Sequence, residues 1–286
     1  MAPARGRPIR NAVRRAKSTS QPSAPLKEAP KPKPRKPLVR DLNQWAAQRA
    51  IVRRMGILPK DVIIVDGGAR RGNVTNKYLE LFPKAHVHSF EPEPVGFRET
   101  AERFCTDSRV TIVRKALYSC EDEEAFYVGG QRGEMSSLLP RAKGKKRYYR
   151  HDLERLPELV PTISLDEYFK RKPGPHIIKL DLQGGERAAL AGARALFRRK
   201  QPPLMVYTEV LFVELYEGNP LLYDIWGDML KHKYVLFDLY DFARSKVNRR
   251  LKVADALFVS PAVQKMLEAM PEEWLAKSLP LRLERG

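Results

Sequence analysis

Short apolar runs recur along the chain and alternate with segments whose apolar residues repeat at helical spacing. The runs predict buried strands, because most are continuous and rich in Val, Ile, Leu and Phe. They occupy residues 62–65, 86–90, 110–113, 124–128, 177–180, 204–208, 234–239 and 256–259. The helical segments cover residues 73–82, 94–104, 185–197 and 223–231. Buried strands that alternate with helices indicate an α/β fold with a doubly wound, mainly parallel sheet.

A further helix is predicted ahead of the first strand. Asp41 is a suitable N-terminal cap, and Gly56 and Pro59 end the helical pattern. Apolar residues on one face, among them Trp45, indicate that this helix packs on the edge of the domain. The predicted organisation is a tail at 1–40, this helical segment at 41–60, the α/β domain at 61–262 and a helical C-terminal extension at 263–286.

The net charge of +19 is concentrated in the tail. Residues 1–40 contain twelve Lys or Arg, one acid and eight prolines, a net charge of +11, which leaves +8 for the remaining 246 residues. So few large apolar residues cannot offset the entropy of ordering, which predicts a disordered segment. Arg5-Gly6-Arg7-Pro8 is similar to a minor-groove AT-hook, so nucleic acid is a candidate partner of the tail.

Cysteine usage and hydropathy bear on the compartment. Cys105 and Cys120 are the only cysteines, which predicts neither a disulfide framework nor a metal site and favours the cytoplasm. The Arg-rich, acid-poor N-terminus also matches a mitochondrial presequence, so an organellar location is the alternative. No apolar run reaches the ~20 residues of a membrane-spanning helix.

The first candidate ligand site follows the first strand, because parallel α/β sheets bind ligands at the carboxyl ends of their strands. Asp66 ends that strand, and Gly67, Gly68, Ala69 and Gly72 lead into the next helix. The glycines let the backbone approach a ligand closely, and the helix N-terminus favours anionic groups. An acid before the glycines disfavours a pyrophosphate and favours a ligand with a cationic amino-acid moiety.

Three more carboxylates end predicted strands. Glu91 follows the second strand, and its carboxylate can accept hydrogen bonds from both hydroxyls of a ribose. NAD and S-adenosylmethionine sites share this feature. Asp181 and Glu209 end two later strands at the same edge. Both are candidate catalytic residues, and we favour Asp181 as a base or as a residue that positions the substrate, with Glu209 as the alternative. His88 lies inside a strand and is interpreted as a core histidine.

These motifs resemble the FkbM family of methyltransferases, which O-methylate polyketide and sugar hydroxyls. Residues 66–75 match the family pattern Asp-x-Gly-Ala-x-x-Gly-x-x-Thr, and residues 90–92 match Phe-Glu-Pro. Residues 179–186 match Lys-x-Asp-x-Glu/Gln-Gly-x-Glu, with Gln183 where Glu is commoner. Further matches are Ala116-Leu117-Tyr118-Ser119, Ser136-Ser137-Leu138 and residues 255–259. The motifs occur in the family's order over residues 61 to about 262.

The resemblance implies a class I methyltransferase fold of Rossmann-like type that uses S-adenosyl-L-methionine and no metal. The implied acceptor is a hydroxylated small molecule or glycan. The residues implied in cofactor binding are Asp66, Gly67, Gly68, Ala69, Gly72, Thr75, Glu91, Ala116 and Leu117.

Two basic features qualify this interpretation. The family usually has Asn at the position of Arg70, which we interpret as facing solvent; pairing with the carboxylate of the cofactor is the alternative. Residues 141–151, RAKGKKRYYRH, carry six Lys or Arg and no acid beside the expected substrate mouth. Such a run is commonly a solvated loop, but it would also suit an anionic acceptor.

Three functions follow from these observations. A methyltransferase acting on a carbohydrate or small-molecule hydroxyl is the leading hypothesis. The second is a nucleic-acid-associated protein, either a methyltransferase or a binder, that uses the basic tail. The third is an NAD-dependent oxidoreductase, which is disfavoured because no Tyr-x-x-x-Lys or His-Asp pair stands at a predicted strand end.

Overall fold

A computed structural model describes residues 43–130, 133–144 and 156–270 of the chain. The predicted tail, residues 145–151 of the basic segment and residues 271–286 of the predicted extension lie outside the described residues. Predictions about them stay predictions. Within the described ranges, each helix is too short or too polar to cross a lipid bilayer.

Ten strands lie in the described part of the chain: β1 (Ile63–Gly67), β2 (His86–Phe90), β3 (Val110–Val113), β4 (Ala116–Leu117), β5 (Glu123–Phe126), β6 (Glu158–Ile163), β7 (Ile177–Leu180), β8 (Met205–Leu211), β9 (Val235–Arg244) and β10 (Leu251–Val259). The helices described are α1 (Gln44–Arg54), α2 (Asn73–Leu81), α3 (Pro94–Arg103), α4 (Leu165–Tyr168), α5 (Glu186–Ala191), α6 (Arg194–Phe197), α7 (Leu222–Lys231) and α8 (Pro261–Glu268), with a 3-10 turn at Pro59–Asp61.

Seven strands form the main sheet in the order β3-β2-β1-β7-β8-β10-β9. The pairs from β3 to β8 are parallel, and β10 is antiparallel to both of its neighbours. The strand order reverses between β1 and β7, which is where doubly wound sheets open a ligand crevice. The predicted doubly wound, mainly parallel sheet is confirmed.

Both faces of the central strands are buried, which explains their continuous apolar sequences. Along β1, Ile64 packs in the apolar layer that contains α1 and α2, and Val65 packs in the opposite layer. Ile177 and Ile178 of β7 divide between the layers in the same way. Successive side chains of a strand point to opposite faces, so a doubly covered strand needs apolar residues at every position.

A second, three-stranded sheet in the order β4-β6-β5 was not predicted. β4 has only two residues, and β6 contains Pro161, which signals against a strand. The predicted strand at 124–128 corresponds to β5, which begins one residue earlier and ends at Phe126. This small sheet carries residues that line the ligand cleft.

The predicted helix at 185–197 is wrong in one respect, because it is two helices separated at Gly192. A Cβ on Gly192 would lie 2.2 Å from the carbonyl oxygen of Tyr118, so the chain turns where it touches another segment. The carboxylate of Asp166 then accepts hydrogen bonds from the backbone amides of Ala195 and Leu196 at 2.8 Å each, and so starts the second helix.

The ends of the domain also differ from the prediction. Helix α1 is capped by Asn43, whose side chain accepts a hydrogen bond from the amide of Ala46 at 3.0 Å, and not by Asp41. The last described helix begins at Pro261, with Ser260 as its cap, two residues before the predicted extension at 263. β9 and β10 are ten and nine residues long and form an antiparallel hairpin that extends well beyond the predicted runs.

Candidate active site

The turn after β1 brings its backbone against the neighbouring strand. Gly68 has φ of +74°, and a Cβ there would lie 2.0 Å from the backbone oxygen of Asp181. Gly72 has φ of +71° and caps helix α2. A side chain at Gly68 would be both strained and overlapping, so this position requires glycine. The turn forms one wall of a cleft of about 670 Å³, counted with its open mouth.

The cleft lies at the carboxyl ends of β1, β2 and β7 and is closed on one side by the small sheet. Among the predicted cofactor residues, Gly68, Glu91, Ala116 and Leu117 line it. Its other lining residues are Arg70, Phe90, Pro92, Phe126, Gly133, Glu134, Ser136, Leu138, Asp181, Leu182, Gln183 and Gly185. Phe126 and Leu138 were missed as site residues because Phe126 enters through the unpredicted sheet and Leu138 packs against it from the segment that follows Ser137.

Asp66 lies beneath the glycine turn and does not line the cleft. Its side chain is fully buried, 3.1 Å from the ammonium of Lys179, and it accepts a hydrogen bond from the hydroxyl of Thr75 at 2.7 Å. Thr75 is bonded in turn to Ser89 at 2.8 Å. The expectation that Asp66 receives a cationic ligand group directly is therefore replaced by another arrangement, in which Lys179 already balances its charge.

Lys179 holds the glycine turn in place. Besides pairing with Asp66, its ammonium donates to the carbonyl oxygens of Gly67 and Gly68 at 3.1 and 3.2 Å. Burial alone would lower its pKa, but the carboxylates of Asp66 and Asp181 outweigh burial and raise it. The sequence motif contained Lys179, but its role became visible only in the β1–β7 register, which places it opposite Asp66.

Glu91 is almost fully buried at the end of β2. Its two carboxylate oxygens accept hydrogen bonds from the backbone amides of Arg70 at 2.6 Å and Glu93 at 2.9 Å. Burial raises the pKa of Glu91 to about 7, although these two hydrogen bonds lower it. The carboxylate is thus rigidly held, and ionised forms of it become abundant only near neutral pH.

Gln183 joins the two candidate bases. Its amide nitrogen donates to Asp181 at 2.7 Å and to both oxygens of Glu209 at 3.1 and 3.0 Å. Its amide oxygen accepts a hydrogen bond from the hydroxyl of Tyr216 at 2.7 Å. Asp181 lines the cleft, whereas Glu209 lies behind Gln183. In the sequence, Gln183 stands out only as a departure from the commoner Glu, and this bridging position was not predicted.

The buried acids behind the cleft, Glu209 and Glu186, have little positive charge near them to compensate their own. Burial raises the pKa of Glu209 well above its ordinary value, and the carboxylates of Asp181, Glu186 and Asp255 raise it further. Burial also raises the pKa of Glu186 to about 7, while its carboxylate accepts hydrogen bonds from the amides of Leu182 and Gly184. The floor of the cleft therefore favours a ligand that brings positive charge.

The remaining predictions have separate outcomes. Arg70 lines the mouth of the cleft 3.4 Å from Glu134, and its side chain is 44% exposed, which agrees with the solvent-facing interpretation; pairing with the carboxylate of the cofactor stays a prediction. Its φ of +52° lies in the left-handed region, where Asn is favoured.

Arg141 is buried, unlike a residue of a solvated loop. His88 is bonded to Tyr168 at 3.0 Å, and burial lowers its pKa to about 4, as suits a structural histidine.

The fold and the cleft together define a class I methyltransferase. The defining features are the strand order, the glycine turn after β1, the acid after β2 and the crevice at the β1–β7 switch point. Residues 66–236, more than half of the chain, match the family model described as the methyltransferase FkbM domain. The chain belongs to this family and is a methyltransferase. The oxidoreductase alternative is set aside by this membership.

Comparison with individual proteins gives one curated relative and many solved structures. The 2-O-methyltransferase NoeI of Sinorhizobium fredii is 26% identical over 166 residues, which cover 56% of this chain and 67% of NoeI. A precorrin-6y C5,15-methyltransferase from Geobacter metallireducens is 12% identical, with a TM-score of 0.41 over 78% of this chain and 92% of that one. Aeropyrum pernix fibrillarin, solved with natively bound S-adenosyl-L-methionine, is 12% identical, with a TM-score of 0.38 over 75% and 76%.

Proposed function

We propose that this methyltransferase uses S-adenosyl-L-methionine and methylates a hydroxyl group of a glycan or another small molecule. The observation that carries the proposal is the shared cleft, which the glycine turn, Glu91 and Asp181 line together. The glycine turn and Glu91 suit a nucleoside, and Asp181 suits a group that must lose a proton. The 2-O-methyltransferase activity in the name of the relative NoeI supports a hydroxyl acceptor.

The cleft residues fit this cofactor. Phe90, Leu117 and Phe126 supply apolar walls for an adenine ring, and Glu91 can accept hydrogen bonds from ribose hydroxyls. The acid-rich floor around Asp181 suits a ligand that carries a sulfonium and an ammonium group. When bound, S-adenosyl-L-methionine would supply a methyl group that is already activated for transfer.

Asp181 is then placed to accept the proton of the acceptor hydroxyl. Gln183 fixes one of its carboxylate oxygens, and the carboxylate borders the cleft. Glu209 is a weaker choice of base, because it is hydrogen-bonded to Gln183 and is not among the residues that line the cleft.

Cofactor choice is tested by calorimetry on the full chain. We expect S-adenosyl-L-methionine to bind at least ~100-fold more tightly than NAD, because the pyrophosphate of NAD would meet a carboxylate-lined floor and like charges cost several kcal/mol. Transfer of labelled methyl is then measured to a glycan with a free 2-hydroxyl, with the 2-O-methylated glycan as control. Equal affinity for NAD, or equal labelling of both glycans, contradicts the proposal.

The affinity for S-adenosyl-L-methionine should depend on pH through Glu91. Ribose hydroxyls donate to the ionised carboxylate, and its pKa in the protein without ligand is about 7. Affinity should therefore fall about tenfold between pH 8 and pH 6, as the ionised fraction falls from about nine-tenths to one-tenth. Titration calorimetry of Glu91→Gln over the same range should give weaker binding with little of this slope. An unchanged slope in the variant would show that another group titrates.

A further inference from the structure

The hairpin of β9 and β10 ends in a strongly basic tip at the carboxyl edge of the main sheet. We call residues 242–252, FARSKVNRRLK, the basic arm. The arm contains five Lys or Arg and no Asp or Glu: Arg244, Lys246, Arg249, Arg250 and Lys252. Of these, all but Lys252 are exposed. Among the described acids, none forms an ion pair with any of the five.

Strand register places the basic arm above the carboxyl edge of the sheet. Asp255 of β10 is opposite Glu209 of β8, and Val253 is opposite Leu211, where β8 ends. Leu251 lies four residues beyond Asp255, which corresponds to about 13 Å of strand. The tip therefore projects past the end of β8, on the half of the sheet that lies beyond Asp181 and away from the glycine turn.

The turn at the tip is built by polar side chains. Ser245 is buried, and its hydroxyl accepts hydrogen bonds from the amides of Val247 and Asn248 at 3.2 and 3.3 Å. The side-chain oxygen of Asn248 accepts one from the amide of Arg250 at 3.1 Å. These contacts hold the arm in one shape while its cations point outward. The nearest acid before the arm, Asp241, is bonded to Gln44 at 2.6 Å.

Apolar side chains accompany the cations. Val247, at the turn, is 68% exposed, and Phe242 is 54% exposed. Branched aliphatic and aromatic side chains next to unpaired cations are the combination with which peripheral proteins bind anionic bilayers, since polybasic attraction and a small apolar insertion act together.

We propose that the basic arm docks this methyltransferase on an anionic membrane surface, where the acceptor hydroxyl is presented. A nucleic acid fits less well, because the side chain at the turn, Val247, has no aromatic face and Phe242, the one aromatic residue of the arm, lies five residues earlier at its base. The polar residues Ser245 and Asn248 are engaged in the turn. A second copy of the chain would bring two such arms into repulsion. This docking goes beyond the proposed methyl transfer and is measured without turnover, so either can fail alone.

The test compares two variants of equal net charge in the full chain. Arg244→Gln/Lys246→Gln/Arg250→Gln changes the arm; Lys170→Gln/Arg171→Gln/Lys200→Gln removes three exposed cations from segments that precede β7 and β8, at the opposite edge of the sheet. Vesicle binding is measured by sedimentation with vesicles that contain roughly one-third phosphatidylserine. Because each basic residue at an anionic surface adds about fivefold to affinity, the affinity of the arm variant should fall at least tenfold, and that of the control variant should not. The charge of the tail is the same in both and cancels.

A second measurement examines insertion of the tip. Val247→Trp should give blue-shifted emission with anionic vesicles and quenching by brominated acyl chains, beyond the signal of the unchanged protein. Val247→Asp should weaken vesicle binding while leaving the affinity for S-adenosyl-L-methionine unchanged. The proposal is overturned if the arm and control variants bind vesicles equally, or if the arm variant loses only RNA or DNA binding.

Discussion

Lys179→Met is expected to lower the free energy of unfolding by about 3–5 kcal/mol, because removing one partner of a buried ion pair leaves the other charge uncompensated. Asp66 is fully buried, and the ammonium of Lys179 lies 3.1 Å from its carboxylate. The same ammonium donates to the carbonyls of Gly67 and Gly68, which would lose a partner as well. The glycine turn should loosen, and cofactor affinity should fall together with stability.

Urea denaturation of a double-mutant cycle measures the effect. Asp66→Asn/Lys179→Met removes both charges and should recover much of the lost stability, because no ion is left buried. Lys115→Met serves as the matched control, since Lys115 pairs with Glu121 at the surface and should matter by less than about 1 kcal/mol. A loss below about 1 kcal/mol for Lys179→Met would show that the buried pair does not support the fold.

The sequence predicted the main sheet well for a definite physical reason. Strands covered on both faces need apolar residues at every position, and such runs have few alternative structures. β2, β3 and β7 have the predicted bounds. Where burial was one-sided the prediction was shorter than the strand, because the outer halves of β9 and β10 alternate with charged residues.

What the sequence did not reveal depends on contacts between distant segments. The break at Gly192 arises from the carbonyl of Tyr118, 74 residues away in the chain, and no local pattern contains it. β4 and β6 exist because they pair with each other, as their own sequences are too short or contain proline. Turn chemistry and propensity act within a few residues, so tertiary pairing of this kind overrides them.

The candidate site shows the same division. Strand ends gave Glu91 and Asp181 because parallel strands deliver their carboxyl ends to one edge, and both line the cleft. Asp66 occurs at the predicted edge but faces Lys179 below it, which only the β1–β7 register reveals. The link from Asp181 through Gln183 to Glu209 joins the turn after β7 to β8 and depends on the pairing of these two strands.

Asp181→Asn should lower kcat by about 10²–10⁴-fold, because the amide cannot take the proton of an attacking hydroxyl and general-base catalysis contributes factors of this size. The substitution keeps the shape of the side chain, and Asp181 borders the cleft without forming its apolar walls. The melting temperature should therefore change little. Because the acid-rich floor loses a carboxylate, cofactor affinity should fall, and kcat is measured at saturating S-adenosyl-L-methionine. The loss should appear in kcat and not in the Michaelis constant of the acceptor.

Glu209→Gln is the matched control for this assignment. Its carboxyl group lies behind Gln183, where burial and the neighbouring carboxylates raise its pKa, and glutamine keeps the size of the side chain. We expect a loss in kcat of less than about tenfold, since the variant would disturb only the hydrogen bonds that orient Gln183 and, through it, Asp181. If Glu209→Gln instead shows the larger loss while Asp181→Asn stays active, the proton is accepted at Glu209, and Asp181 positions the acceptor.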